Sequence, residues 1–520
     1  MFDFIVVGAG SAGCVIAEGL SARHSVLLIE AGDSNRKAEV TIPAAFSKQF
    51  DTDLDWGFHS EPEKGASGRR LYIPLGRGLG GSSSMNAMIY MRGRPSDYDG
   101  WADDGASGWE WETVAPIFRR MESNTRGESV HHGSGGPVLV DDLRDPNPFT
   151  RRFIEAAIEV GIPANADFNG DTQEGVGFYQ VTQKRGRRWS AADAYLEPAS
   201  TRPTLTIASN AVAHRLVVEG DRVKGLEYVH NNKRKTASCG GEVILAAGAI
   251  GSPHLLQLSG IGDPEHLRSI GIQPRFDNPH VGQHLQDHMA TGIAQASKKG
   301  GTLDDAETTS NLVKWMLTRR GPLSSNIAEA GAFVRSDPAK SEPDLQFHFG
   351  PAYFVNHGRE PAPGPAYTLG PVLINPTARG SVVARSSDPA IHPAILGNFL
   401  GNQSDIRALV AGMAVARQIH AASSFDDVRG EELLPGPEVT SETGIESFVR
   451  ERAETFYHPV GTCRMGKPGG SVVDPQLRVH GMAGLRVADA SVMPTITSGN
   501  THAPSMMIGA RAVEFILASR

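Results

Sequence analysis

The stretch FDFIVVGAGSAGCVIAEGLSARHSVLLIEAG, residues 2–32, constrains the fold of this chain more than any other. Its apolar runs FIVV and VLLIE are short and rich in β-formers, as buried parallel strands are, and CVIAEGLSA between them has a helical period. Strand, glycine turn, helix and second strand make a βαβ unit, the start of a Rossmann-like α/β sheet. In the turn Gly8-Ala9-Gly10-Ser11-Ala12-Gly13, Gly8 permits the tight bend and Gly10 lets backbone amides approach a pyrophosphate. Gly13 lets helix and strand pack closely. Glu30 ends the second strand at the distance where a carboxylate meets a ribose, and Ala31 follows it. Glycine turns also cap helices with nothing bound, but strand, helix and acid together favour a dinucleotide site. The same residues imitate a hydrolase nucleophile elbow, with Ser11 in the place of the serine. At residue 11 the dinucleotide turn explains them better.

A length of 520 residues allows two or three domains. Hydrophobic residues at 40% and charged residues at 21% fit a globular protein, and a net charge of −8 without a basic run argues against nucleic-acid binding. Cys14, Cys239 and Cys463 have no CxxC spacing, which predicts neither a disulfide framework nor a metal cluster. A strand beginning almost at Met1 leaves no room for a cleaved signal, and no apolar run is long enough to span a bilayer. The expected location is the cytoplasm, with peripheral attachment to the inner face of the membrane left open.

Further along, PLGRGLGGSSSMNAMIYMRG (74–93) is glycine-rich, FTRRFIEAAIEVG is helical, and residues 204–229 read as strands joined by a turn. The region from about 290 to 440 mixes Pro- and Gly-rich loops with strand-like pieces such as DLQFHFG, and the C-terminus reads as strand, loop and long helix. The glycine fingerprint does not by itself choose between NAD and FAD.

GRGLGGSSSMNAMIYMRG (76–93), GAIGSPHLLQLSGIG (248–262), DASVMP (489–494) and GNTHAP (499–504) settle that choice by resemblance. With the opening stretch they are similar to the signature segments of the glucose–methanol–choline (GMC) flavoprotein oxidoreductases, in the family's order from residue 4 to about residue 516. GVGFYQVTQKRGRRWSAADAYL, LQFHFGPAY and ETFYHPVGTCRMG resemble the aliphatic-alcohol dehydrogenases of that family, and choline dehydrogenase. The resemblance implies FAD as cofactor, with Gly81, Ser82, Asn86, Ala87, Met88 and Ile89 along it, Val212 at the adenine, and Asp489 and Ala490 at the pyrophosphate and ribitol. Some relatives link the flavin covalently to a histidine where this chain has Met85. A thioether cannot form that bond, so the FAD is expected to be non-covalent.

In YHPVGTCRMG (457–466) the resemblance makes His458 the catalytic base, taking the hydroxyl proton of an alcohol as hydride moves from the α-carbon to flavin N5. Pro459 stiffens the turn and Tyr457 is expected beside the cofactor. Aligning GNTHAP puts Asn500 in the position that hydrogen-bonds the substrate oxygen, with His502 a weaker claimant for a direct role. Glu329 matches an acid that meets the substrate cation in choline oxidase, yet a structural glutamate reads equally well. The expected reaction is oxidation of a primary alcohol to an aldehyde, with electrons passed to a quinone-type acceptor. Transfer to oxygen with release of peroxide, choline dehydrogenation, and a hydroxynitrile-lyase-like reaction without redox turnover are the alternatives. Phe456 is a bulky neighbour of the expected site. Phe347, Phe349, Tyr353 and Phe354 suit an apolar or aryl alcohol or simply a core; alkanols, aryl alcohols, polyol ethers and choline all remain open, as does the oligomeric state.

The implied architecture is discontinuous. Residues 1–150, 190–290 and 440–520 form the FAD-binding domain, and 151–189 and 291–439 an α+β substrate domain with an antiparallel sheet. The active site lies between them.

Overall fold

The strands Leu205–Ala208, Val26–Ile29, Phe2–Val7, the end of Lys233–Leu245 and Leu485–Val487 lie parallel, in that order, in the first sheet. The structure, a computed structural model, describes residues 1–519. Phe4, Ile5, Val6 and Leu28 are completely buried, each such side chain contributing about 1.5–3 kcal/mol of apolar burial. The first half of Lys233–Leu245 turns antiparallel to Arg222–His230, which pairs in turn with Ala211–Glu219. Together they supply the α/β fold expected from the opening residues.

Two helices cross on one face of this sheet. Helix Ser11–Ser21 follows the glycine turn, and the terminal helix His502–Ala518 packs on it through small residues. A Cβ at Gly509 would lie 2.7 Å from the carbonyl oxygen of Ala12, so the helices meet backbone to backbone. That contact sets the start of the terminal helix, and Asn500 just before it, beside the dinucleotide turn.

The second sheet is antiparallel, in the order Arg429–Leu434, Ile293–Ser297, Ala366–Leu373, Leu345–Gly350, Ala330–Val334, Gly175–Phe178. Helices Pro148–Glu159 and Gln403–Ala421 cover one face, burying Phe153, Leu409 and Met413. Strand Leu345–Gly350 shows the period of two: Leu345, Phe347 and Phe349 belong to that core, while Gln346 and His348 point to the other face. Phe347 and Phe349 are therefore core residues rather than substrate contacts.

Glu442–Arg452, which the expected division groups with the first sheet, buries Val449 in the core of the second, and Glu454–Thr455 pairs there with Met289–Ala290. This pairing delivers the next residues, Phe456 to His458, to the junction of the two layers. Among the described residues no helix is long and apolar enough to cross a membrane.

Candidate active site

A cavity of about 700 Å3 runs between the two sheets, and every expected site residue except Gly13 lines it. Gly13 instead lies behind the turn, where an added Cβ would fall 1.8 Å from the Gly8 carbonyl oxygen. Helix Ser11–Ser21 begins without a side-chain cap, at Gly10, so its first amides open into the cavity. The loop around Gly81 docks on this turn: Gly80 donates to the Ala9 carbonyl at 2.8 Å, and a Cβ at Gly81 would meet Gly10 Cα at 2.7 Å. Such a cradle of bare backbone and free helix amides fits a pyrophosphate.

Glu30 holds these loops together. One carboxylate oxygen accepts from the amide of Ala9 at 2.9 Å, and the other from Gly32 at 2.8 Å and Gly78 at 3.1 Å. A carboxylate has about four lone-pair sites, so one is left for a ribose hydroxyl. Asp489 acts similarly across the cavity, accepting from Ser252 Oγ at 2.6 Å and from the amides of Gly248 at 2.9 Å and Ser491 at 2.8 Å. Burial raises both acids above the usual carboxylate range, while these donors pull them back. Asn86 Oδ1 accepts from Arg188 at 2.8 Å and from the Met88 amide at 3.0 Å, fixing the wall formed by Ala87, Met88 and Ile89. Val212 and Ala490 complete the far walls, and Met85 is buried in an aromatic cluster with Phe46 and Phe50.

His458 also lines the cavity. Segments 286–290 and 454–460 run side by side, with Phe456 donating to the His288 carbonyl at 2.8 Å and Val460 to that of Gln286 at 2.9 Å. Tyr457 has a left-handed backbone, φ 65°, a strained conformation for a bulky residue that swings the next side chain into the cavity. The Tyr457 hydroxyl meets His357, and its ring stacks on Phe456 at 5.9 Å. The His458 amide donates to Asp287 Oδ1 at 2.8 Å.

The ring nitrogens of His458 have defined roles. His288 Nε2 lies 3.1 Å from the Ile374 carbonyl oxygen, which can only accept, so that nitrogen carries the proton. In a neutral imidazole His288 Nδ1 is then an acceptor, and it lies 3.0 Å from His458 Nδ1. His458 must donate there, which leaves its Nε2 unprotonated, an acceptor facing the Asn500 amide. Burial favours the neutral form in both rings, lowering His458 to about 3 and His288 well below the usual histidine range. Burial pushes the neighbouring Asp287 up to about 8, so it presents no full charge to the pair at neutral pH.

Asn500 Nδ2 lies 3.4 Å from His458 Nε2. Its Oδ1 accepts from Gln346 at 3.2 Å, and Gln346 also donates to the Tyr179 hydroxyl at 3.1 Å, which donates to the Phe347 carbonyl at 2.7 Å. With its oxygen so held, Asn500 presents donors to the cavity. A basic lone pair and an amide donor thus converge on one point, the arrangement that takes a proton from a hydroxyl while holding its oxygen. Phe456 lies edge-on to His458 at 5.5 Å and tilted against His348 at 4.7 Å; both His348 nitrogens lack a partner.

His502, expected among the catalytic residues, turns elsewhere: its Nδ1 lies 2.8 Å from Ser11 Oγ, at the glycine-turn end. Burial first, and the Arg188 guanidinium second, lower it to about 4. Glu329 does not line the cavity and accepts from Ser325 Oγ at 2.6 Å, Thr150 Oγ1 at 2.6 Å and the Asn147 amide at 2.7 Å. It braces the second sheet. His288, Gln346 and Tyr179 were not foreseen; only the i, i+2 alternation of Gln346 and His348 in a strand hinted at a polar face there.

Profiles of the GMC oxidoreductase family match residues 2–290 and 376–509. An alcohol dehydrogenase (acceptor) of Pseudomonas putida is 42% identical over 528 residues, covering 99% of this chain and 96% of the relative. The mitochondrial choline dehydrogenase of Homo sapiens is 40% identical over 531 residues, covering 99% and 89%. A solved structure of a formate oxidase mutant from Aspergillus oryzae RIB40, concerned with FAD modification, superposes with a TM-score of 0.94 at 27% identity, covering 100% of this chain and 98% of the other.

Proposed function

Because this chain belongs to the GMC oxidoreductase family, we propose that it is an FAD-dependent dehydrogenase that oxidises a primary alcohol to an aldehyde and passes the electrons to a quinone-type acceptor. The observation that carries the reading is the unprotonated Nε2 of His458 beside the Asn500 amide. The amides of helix Ser11–Ser21, with Glu30, Asp489 and the wall from Asn86 to Ile89, would hold the cofactor. Bound FAD supplies the two-electron, hydride-accepting chemistry that no side chain has. His458 Nε2 takes the hydroxyl proton, Asn500 holds the oxygen as charge builds on it, and His288 holds the base in its tautomer. Ile89, Ile327, Val372 and Phe456 keep water from this end and favour an apolar alkyl or aryl alcohol over choline, for whose cation Glu329 is not available. Met85 leaves the cofactor non-covalent.

The experiment is anaerobic titration of the purified holoenzyme with aliphatic and aryl primary alcohols and with choline, followed by flavin absorption. Bleaching by apolar alcohols, rapid reoxidation by a soluble quinone and slow reoxidation by oxygen are expected. Fast reoxidation by oxygen with peroxide release would make the protein an oxidase, and no bleaching by any alcohol would sink the redox reading. Acid precipitation should release the flavin into the supernatant.

His288 is a positioning residue, and its effect is separable from a structural one. His288→Leu removes the acceptor for His458 Nδ1–H and should lower kcat by about 10²-fold with little change in KM. His288→Gln, whose carbonyl can accept that proton, should restore most of the rate. Equal losses in both variants would contradict the tautomer argument.

A further inference from the structure

Residues 356–359 cross the surface beside the cavity, and Asn356, Gly358 and Arg359 are exposed, yet His357 between them is 4% exposed and lines the cavity. The backbone is bent to bury it. Asn356, His357 and Gly358 are all left-handed, with φ 49°, 61° and 74°, which suits asparagine and glycine and strains histidine. Phe50 and Tyr72 stand edge-on to the imidazole, at 6.4 Å and 5.1 Å, and fix its plane. Arg359 secures the far side of the turn, pairing with Asp51 at 2.7 Å and covering the Tyr72 ring at 3.8 Å. Strain of this kind persists only where the surroundings over-determine it, and it gathers at functional sites.

Both ring nitrogens of His357 face the segment that bears His458. Nδ1 meets the Tyr457 hydroxyl, and Nε2 lies 3.2 Å from Glu454 Oε2. Burial first, then the Arg359 and Arg69 guanidinium groups, lowers His357 to about 3, so the ring is neutral and carries one proton. The carboxyl oxygen beside Nε2 favours that proton there, which leaves Nδ1 to accept. Burial also raises Tyr457 well above the ordinary tyrosine range, which keeps its hydroxyl protonated as the donor. Glu454 is itself pushed up to about 7 by burial, against the pull of Arg69 and Arg359. A protonated carboxyl still offers a carbonyl oxygen to Nε2, so the pattern survives its titration.

Tyr457 is also left-handed, φ 65°, and it directly precedes His458. Two strained residues, 100 positions apart in sequence, thus close on each other through one hydrogen bond. Rotation of the backbone at Tyr457 would carry its hydroxyl off His357 and swing His458 away from Asn500, now 3.4 Å from its Nε2. Resting on the proposed dehydrogenase reading, we propose that His357 is a positioning residue: by accepting the Tyr457 hydroxyl it holds the turn that aims His458 Nε2 at the substrate hydroxyl. It acts through Tyr457 and needs no contact with the reacting atoms.

The test is a double-variant cycle on the holoenzyme, read as the limiting rate of flavin reduction by the best primary alcohol in anaerobic stopped flow. His357→Phe and Tyr457→Phe keep the rings and remove the hydrogen bond. Each should lower that rate about tenfold with little change in the alcohol concentration for half-saturation, and the double variant should be no slower than the slower single. His357→Asn supplies an accepting oxygen near the place of Nδ1 and tolerates the left-handed turn, so it should recover most of the rate. An unimpaired His357→Phe, losses that multiply in the double variant, or no recovery with asparagine overturns the proposal. So does a loss confined to half-saturation, which marks a residue that only shapes the cavity. Thermal melting of the holoenzyme reads the same cycle without turnover: the double variant should melt no lower than the less stable single, and fully additive losses overturn the proposal. Absence of bleaching in the wild type would count against the dehydrogenase reading instead, and the melting cycle would still decide whether His357 and Tyr457 act as one unit.

Discussion

His458→Ala should lower kcat/KM for the best alcohol by about 10³-fold, within the 10²–10⁴ that a positioned base supplies, or about 4 kcal/mol of transition-state stabilisation. The flavin spectrum should be retained, because the loops tied together by Glu30 and Asp489 are left unchanged. The pH profile provides a second readout. The base works as neutral imidazole, and burial lowers its pKa to about 3, so wild-type kcat/KM should stay level as pH falls through the ordinary histidine value of about 6.5. A wild-type acid limb centred near that ordinary value would mean that the working base is another group or that the site is wetter than its walls imply. Full activity in His458→Ala would remove the residue from the mechanism.

Asn500→Leu should cost about 10²–10³ in kcat, the effect of deleting one donor aimed at a developing oxyanion. The comparison with His502→Ala separates the two claimants for the second catalytic place. His502 bonds to Ser11 at the dinucleotide turn, so its loss should weaken retention of FAD on dilution and leave kcat of the saturated enzyme nearly unchanged. Flavin retained after gel filtration measures the first effect, and stopped-flow reduction with FAD in excess the second. A large kcat loss in His502→Ala with full activity in Asn500→Leu would reverse the assignment. Gln346 makes Asn500→Asp informative as well: the carboxylate can still accept from Gln346, but it has no amide donor for the substrate oxygen. Its kcat should therefore resemble that of the leucine variant.

The dinucleotide end was legible because its chemistry is local. Gly8, Gly10 and Gly13 lie within one turn, the apolar runs beside them have strand and helix periods, and Glu30 ends the next strand. Sterics between neighbours dictate such a unit whatever the rest of the chain does. The motifs around His458 and Asn500 were legible only by resemblance, since a histidine before a proline has no period to mark it.

Tertiary structure alone decided how those side chains are used. His288 reaches His458 across 170 residues of sequence, Gln346 reaches Asn500 across 154, and Asn500 reaches His458 across 42. A ring's protonated nitrogen is set by whatever acceptor the fold brings to it, and the Ile374 carbonyl gains that role only when two sheets close on each other. The same holds for Glu329, a bracing acid once Thr150, Ser325 and Asn147 surround it, and for His502, drawn to Ser11 by the crossing of two helices. TSNLVKWMLT has the spacing of a helix that buries Leu312 and Met316; the chain buries Trp315 instead and turns them out. Periodicity specifies that a helix has an apolar face, but which way that face looks is a property of the packed molecule, because only the neighbours decide which side is covered.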